Sequence, residues 1–561
     1  MRPAFITARC WRAWRFWLIV AITAGMAWRL TDYFLRFPVW DDEASLGLNI
    51  VHRGYMGLMR PLSNAQVCPI GFLWISKFFI QHFGTDVWVL RCVPLMAGLA
   101  AVLLAWTIFK SFAGRRVGLL ATALIACSLA TSRFSTDFKP YSLDLLSALG
   151  IIGLTLRAIR RPHDYRPMII LVLITPVVMA TSYPSLFVIG AALAALSPTL
   201  WPSRHRRWRI EPRLNGLSNI DSGQSTVRGT VSKTVSSRPL THWPRIGRTI
   251  YLLWVIVAAG TIAVLYRGII RGQMRHTHTF MQKFWSSAFP PHGLAIIKWL
   301  IDAHISNMMS YPFGGSKGIA LVIAPLVLLG LVRLWYKRRL AELVLLAGPF
   351  VLTFIAAYLH KYPYGADARV EQHLAPSIAL LAALGTVTLV ALILRRSRNV
   401  RVWRNAVNIP VAVMVVFAVI MTLKDIDHPW RTPAPRRARN FIARVFSHAG
   451  ADTRILILNK HPFGYSVLIS WQLVTAQHSF LISPNVSALR HLAGNNVWLI
   501  HFHLADAAPL APRILWIVRR QVHGGRITAN ITNRLYSPSN NRTQIFMQAV
   551  HITAVTATKL R

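Results

Sequence analysis

The chain has 561 residues, 54% of them apolar and only 14% charged, with a formal net charge of +45. Long uncharged runs at that composition exclude an ordinary set of soluble domains and indicate a polytopic membrane protein. The charge does not argue for nucleic acid, because Lys and Arg cluster in short stretches between apolar runs, as membrane topology requires.

The N-terminal MRPAFITARCWRAWR runs into a long apolar stretch with no small-residue cleavage site, which reads as a retained anchor. A helix needs about 17–25 apolar residues to cross the hydrocarbon core, and lipid leaves its backbone no other way to be satisfied. Eleven runs meet that requirement, at 15–35, 88–109, 117–133, 141–157, 167–182, 185–201, 249–267, 318–335, 341–359, 374–394 and 405–423. The uncharged stretch 167–203 is about twice too long for one crossing. Pro184 in TSYPS splits it into two helices.

A cytoplasmic N-terminus makes KSFAGRR, RAIRRPHDYR, the segment 202–248, WYKRR and RRSRNVRVWR cytoplasmic, and all five are basic. The other side then receives loops 36–87, 134–140, TSYPS, 268–317, 360–373 and everything after Lys424, with most of the acid. Residues 425–561 contain the β-like runs RILILN, NNVWLIHFH and RILWIV. The expected architecture is therefore an α-helical polytopic membrane domain over 1–424, with a small extracytoplasmic α/β domain over 425–561. Cys10, Cys68, Cys92 and Cys127 have neither metal-ligand nor disulfide-framework spacing.

The acid-rich side collects DDE at 41–43, DFKPYS at 137–142 and HKYPYGADAR at 360–369. Basic residues on the side that topology disfavours, Lys139, Lys361 and Arg369, need their own explanation, and phosphate oxygens supply one. Successive helical residues point about 100° apart, so Asp41, Asp42 and Glu43 cannot all face one target. Carboxylates near apolar walls suit a general base. The same three acids equally suit a helix start, as Asp137 and Pro140 do, and both readings stay open here. Asp144 lies one turn inside a predicted span, where an acid is a functional candidate by default.

An acidic DE in the first external loop, a KPYS sequence before the fourth span, a YP-x-G stretch with a following arginine and a C-terminal external domain together resemble the GT-C glycosyltransferases. The likeness is greatest to the bacterial group related to protein O-mannosyltransferases, aminoarabinose transferases and lipopolysaccharide-core sugar transferases. It covers most of residues 15–425. The resemblance implies a bacterial inner-membrane enzyme that moves a hexose or pentose from a polyprenyl-phosphate donor to a glycan, lipid or protein acceptor at the extracytoplasmic face, with inversion. It implies Asp42 as the base, with Glu43 orienting it or binding acceptor and Asp41 as its nearest substitute. Lys139 and Arg369 would hold the donor phosphate, with Tyr141 and Tyr364 lining the pocket and Lys361 nearby. Some members of the group use a divalent cation near the carboxylates and others do not. The chain departs from the pattern at Asp137-Phe138, where Glu usually precedes KPY, and in the longer spacing to Arg369. The rival from another class is a transporter or lipid flippase. It predicts internal repeats and midplane polar groups, and the sequence shows no convincing repeat.

Overall fold

The computed structural model describes residues 3–199, 245–314, 318–394, 400–428 and 433–447, together with five strands and a few positions between Leu468 and Val474. The cytoplasmic loop expected at 202–248 lies almost entirely outside the described residues, as does RILWIV.

In chain order the helices are α1 (Pro3–Phe34), α2 (Asp41–His52), α3 (Ile70–Phe83), α4 (Val87–Ala113), α5 (Arg115–Ala126), α6 (Leu129–Arg133), α7 (Tyr141–Arg160), α8 (Arg166–Thr181) and α9 (Ser185–Leu196). After the undescribed loop come α10 (Arg245–Leu265), α11 (Arg271–Phe284), α12 (Ala295–His304), α13 (Ala320–Tyr336), α14 (Leu340–Tyr358), α15 (Ala375–Ile393), α16 (Val400–Asp427) and α17 (Pro433–Phe446). Among the described residues, six helical stretches are long and apolar enough to cross a membrane, and α8, α9 and α13 are shorter apolar helices. The break at Ser182–Pro184 falls where the sequence places it, because Pro184 leads into the first turn of α9.

Two expectations change. The apolar run 117–133 is not one helix: α5 stops at Ala126, although hydrophobic residues continue beyond it. The cause is Arg29 of α1, which donates to the Ala126 carbonyl at 2.7 Å and the Ile125 carbonyl at 3.1 Å and so satisfies the helix C-terminus. The segment 268–317, expected as a loop, is largely helical. A π-helical turn at Tyr266–Ile270 carries α10 directly into α11 as a 40-residue rod, and α12 follows.

The basic loops meet at one end of the bundle. The Phe112 carbonyl accepts hydrogen bonds from Arg160 and from Arg339, the latter at 3.3 Å, so the loops around 112, 160 and 339 converge. Arg115 stacks over Trp14, which brings the start of α1 to the same end. At the opposite end the Trp28 indole donates to Asp425 at 3.0 Å, tying the ends of α1 and α16.

Helices α13 and α15 cross in backbone contact. A Cβ at Gly385 would lie 1.9 Å from the Leu326 carbonyl oxygen, and one at Gly330 would lie 2.3 Å from that of Leu381. Between apolar helices, such small residues are what permit close packing. Beyond α17, strands β1 (Arg454–Leu458), β2 (Phe480–Ser483), β3 (Asn496–Leu504), β4 (Arg526–Tyr536) and β5 (Gln544–Thr553) form one mixed sheet in the order β2-β1-β3-β5-β4. Its first three strands pair in parallel and β5 is antiparallel to both neighbours, with Leu456 opposite Leu499 and His501 opposite Gln548. Helix α17 lies against β4, burying Ala438, Phe441, Ile442 and Val445.

The glycine contact predicts that Gly385→Val forces α13 from α15 and costs about 1–3 kcal/mol or more, read as a lower melting temperature in detergent. Gly150→Ala, where the new methyl meets nothing within 4 Å, is expected to leave the melting temperature unchanged or raise it. Equal melting temperatures for the two variants would refute the packing argument.

Candidate active site

The three acids open α2, whose N-terminal dipole favours negative charge. Lys77 of α3 holds the other end of the helix, donating to the Ile50 carbonyl at 2.9 Å. Helical geometry sends the acids in different directions. Glu43 points inward and is wholly buried. Its carboxylate takes Arg91 Nε at 2.8 Å and Nη2 at 2.5 Å, the Phe138 N–H at 2.5 Å and the Trp40 N–H at 3.2 Å. Arg91 also donates to the Phe37 carbonyl at 2.7 Å. This pair therefore joins the start of α2, the first turn of α4 and the turn before α7. Of the two roles the resemblance implies for Glu43, orienting Asp42 or binding acceptor, the second finds no free face on a carboxylate that already takes four N–H donors.

Asp42 points toward the cations. Its carboxylate lies 3.4 Å from Arg369 Nη1 and 4.0 Å from Lys139 Nζ, and it accepts a 3.4 Å hydrogen bond from Gln66. Gln66 in turn accepts from Lys139 Nζ at 2.7 Å. Arg369 is further placed by Asp367, 3.0 Å from its Nε, and by the rings of Trp285 and Phe284, whose centroids lie 5.1 and 5.9 Å from its guanidinium carbon. The contacts from Asp42 to the two cations are longer than a tight charge-assisted hydrogen bond, so both cations keep capacity for another anion. Asp41 is exposed at the mouth, and the protein around it, with Asp42 alongside, pushes its carboxyl above the usual range.

Tyr141 is half-buried and in electrostatic contact with Arg369 and Asp42, so it belongs to this cluster. Tyr364 does not join it. Its hydroxyl lies 3.1 Å from His304 Nε2, and its ring packs with Trp299 and Phe354. Lys361 is exposed at the turn after α14 and makes no ion pair among the described residues. Asp137 is buried in electrostatic contact with Arg91 and Arg369, while Asp144 sits one turn into α7 beside Ser182. Among the described residues no group of three or more His, Cys, Asp and Glu side chains converges to hold a metal. With Glu43 engaged by Arg91, Asp41 and Asp42 do not amount to a divalent-cation set.

The sequence pattern of the dolichyl-phosphate-mannose-protein mannosyltransferase family matches residues 67–213, which include Lys139 and Tyr141 but neither Asp42 nor Arg369. No curated protein sequence matches the chain. Crystal structures of ArnT from Cupriavidus metallidurans, in the apo state and bound to undecaprenyl phosphate, superpose with a TM-score of 0.52 at 10% identity. They cover 95% and 96% of this chain, and 98% of theirs is matched. The chain has the GT-C glycosyltransferase fold. The Archaeoglobus fulgidus oligosaccharyltransferase in its apo form is a weaker likeness, at TM-score 0.43 and 12% identity over 97% of this chain and 74% of that one.

Within this GT-C fold, sequence reading missed Gln66, Arg91, Asp367, Trp285 and Glu371. Arg91 carried a usable signal, being a basic residue at the acid-rich end of a predicted span, the same mark that singled out Arg369. Gln66 carried none, since a lone amide in a loop is unremarkable until its neighbours are known. Glu371 lies two residues beyond Arg369 and is buried, accepting the Gly365 N–H. Burial pushes its carboxyl up to about 8, against the pull of that hydrogen bond and reinforced by Asp367. His373 is held neutral: burial lowers it to about 3, and its Nε2 lies 2.9 Å from Thr353 Oγ1.

Arg91→Ala leaves Glu43 buried without its counterion and is expected to cost about 3–5 kcal/mol, seen as lost folded yield in detergent, while Arg91→Ala with Glu43→Leu recovers part of it. No difference between single and double variants would remove the clamp. For Glu371, the folded protein keeps a proton that the unfolded chain has lost between the ordinary 4.5 and about 8, so stability from this group falls as pH rises through that window. Melting temperatures of Glu371→Gln measured across it are expected to decline less steeply than those of the wild type, and parallel curves would refute the assignment.

Proposed function

We propose that this protein transfers a sugar from a polyprenyl-phosphate-linked donor to a hydroxyl of a glycan, lipid or protein acceptor at the extracytoplasmic face of a bacterial inner membrane. The observation that carries the reading is the carboxylate of Asp42 held between Lys139 and Arg369 at the acid-bearing end of the bundle. The ArnT structure bound to undecaprenyl phosphate, which shares the fold, supports a lipid phosphate as the donor's anchor.

Asp42 takes the proton of the acceptor hydroxyl as its oxygen attacks the anomeric carbon. The bond from that carbon to the phosphate oxygen breaks, and the electron pair leaves with the phosphate. Lys139 and Arg369 balance the charge that develops there, an interaction that strengthens along the reaction and so lowers the barrier. Attack opposite the leaving group inverts the anomeric configuration. Glu43 acts as a positioning residue through Arg91, and Tyr141 lines the phosphate pocket. Lys361 and Tyr364 drop out of the phosphate set because neither meets the cation pair.

The orientation belongs to the same proposal. The end gathering Phe112, Arg160 and Arg339 faces the cytoplasm, in keeping with the positive-inside rule. The acid-bearing end and a separate domain over 425–561 face outward.

Glycan and lipid profiles of membranes with and without the protein are expected to differ by one sugar. Complementation with Asp42→Asn is expected to lower its transfer by about 10²–10⁴-fold, as for loss of a general base, with Asp41→Asn milder. Full restoration by Asp42→Asn would defeat the base assignment, and unchanged profiles without the protein would defeat the reading as a sugar transferase.

A further inference from the structure

The loop between α2 and α3 is shaped to deliver one amide. Two buried side-chain amides, Asn49 of α2 and Gln273 of α11, clamp it from either side by exchanging hydrogen bonds with its backbone. Asn49 accepts the Ser63 N–H at 2.8 Å and donates to the Ser63 carbonyl at 3.1 Å. Gln273 does the same at Cys68, accepting its N–H at 3.2 Å and donating to its carbonyl at 3.3 Å. Between the clamps the chain passes through two consecutive left-handed residues, Asn64 at φ 59° and Ala65 at φ 49°. Asparagine tolerates that region, but alanine adopts it rarely, and such conformations persist where the surroundings impose them, as functional sites do. The residue they present is Gln66, which is buried.

The amide of Gln66 has one workable orientation. An ammonium group only donates, so the atom 2.7 Å from Lys139 Nζ is Oε1, and Nε2 is left to donate to the Asn64 carbonyl at 3.1 Å and, more weakly, to Asp42 at 3.4 Å. Contacts around the site are sorted as a result. Lys139 has its tight contact with a neutral oxygen and stands 4.0 Å from the Asp42 carboxylate, while Arg369 has a 3.0 Å contact with Asp367 and stands 3.4 Å from Asp42. Without the Gln66 oxygen, a shift of about 1 Å would bring the buried ammonium into a tight charge-assisted pair with Asp42. That pair would disable both partners. A carboxylate so held takes up a proton less readily, and an ammonium so held has less to offer an incoming phosphate.

Resting on the donor reading above, we propose that Gln66 is a positioning residue whose neutral amide keeps Lys139 off Asp42, so that the ammonium stays available to the donor's phosphate and the carboxylate to the acceptor's hydroxyl. Neutrality and polarity are both required at this position. An anionic side chain would pair with Lys139 itself, and an apolar one would release Lys139 to Asp42.

The test measures equilibrium binding of undecaprenyl phosphate to purified full-length protein in detergent. Gln66→Met is expected to bind about tenfold more weakly than wild type, the scale of one hydrogen bond to a charged group. Adding Asp42→Asn removes the carboxylate that captures Lys139, and the double variant is expected to bind within about twofold of Asp42→Asn alone. A loop that had merely lost its shape would not be rescued by a change on α2. Gln66→Glu keeps the shape but gives Lys139 an anionic partner, so it is expected to bind about tenfold more weakly whether or not Asp42→Asn is added. Should Gln66→Met not fold, Gln66→Glu carries the comparison. Wild-type affinity in either Gln66 variant, or no recovery when Asp42→Asn is added to Gln66→Met, overturns the inference. The donor reading is judged apart from it by Lys139→Gln and Arg369→Gln, each expected to bind the lipid at least about tenfold more weakly. Unchanged affinity in both defeats that reading, and the inference falls with it.

Discussion

The site depends on one buried ion pair. Glu43 and Arg91 lie in segments that nothing in sequence relates, and their union fixes α2 against α4 and the turn before α7 at once. Removing both charges from water is expensive, and the cost is offset because the carboxylate takes four N–H donors and the arginine adds a backbone carbonyl. The consequence for chemistry is rotational. With Glu43 held inward, the preceding residue turns about 100° around the helix, toward Lys139 and Arg369. The adjacent aspartates are thereby distinguished: Asp42 meets the cations and Asp41 is left at the mouth.

Cations at this end of the bundle divide into two kinds. Arg29 and Arg91 are consumed by structure, one terminating α5 and the other binding Glu43. Lys139 and Arg369 are placed by Gln66, by Asp367 on Arg369 Nε and by aromatic faces, and only their contacts to Asp42 are long, so an incoming anion on that side does not have to break a tight pair. The difference lies in how many partners each cation already has. At the other end, Arg160 and Arg339 share the Phe112 carbonyl, a structural arrangement of three basic loops rather than a site.

Segments distant in sequence close the site. Gln273, in α11 just past the π turn, exchanges hydrogen bonds with the backbone of Cys68 at 3.2 and 3.3 Å, which anchors the loop carrying Gln66. The end of α11 supplies Phe284 and Trp285 to Arg369. From the C-terminal part, Trp471 packs so closely on α2 that a Cβ at Gly47 would lie 2.4 Å from its ring, one turn along the helix from Glu43. A stretch read from sequence as a loop is thus part of the support for Lys139 and Arg369.

The sequence alone determined the helical membrane character, the pairing of basic stretches with one end and the grouping of Asp42, Lys139 and Arg369 at the other. These follow from hydrophobic length and charge asymmetry, which are local and additive along the chain. It also located the break at Pro184, because a proline acts on its own neighbours. Tertiary structure decided what depends on partners: that Glu43 is a clamp, that α5 ends at Ala126 because an arginine from α1 caps it, and that α10 runs on through a π turn into α11 where a loop was expected. It also turned Tyr364 toward His304 and brought Gln66 between Asp42 and Lys139. A side chain's direction and its number of hydrogen-bond partners are set by contacts between segments far apart in sequence, and no pattern within a single segment encodes them.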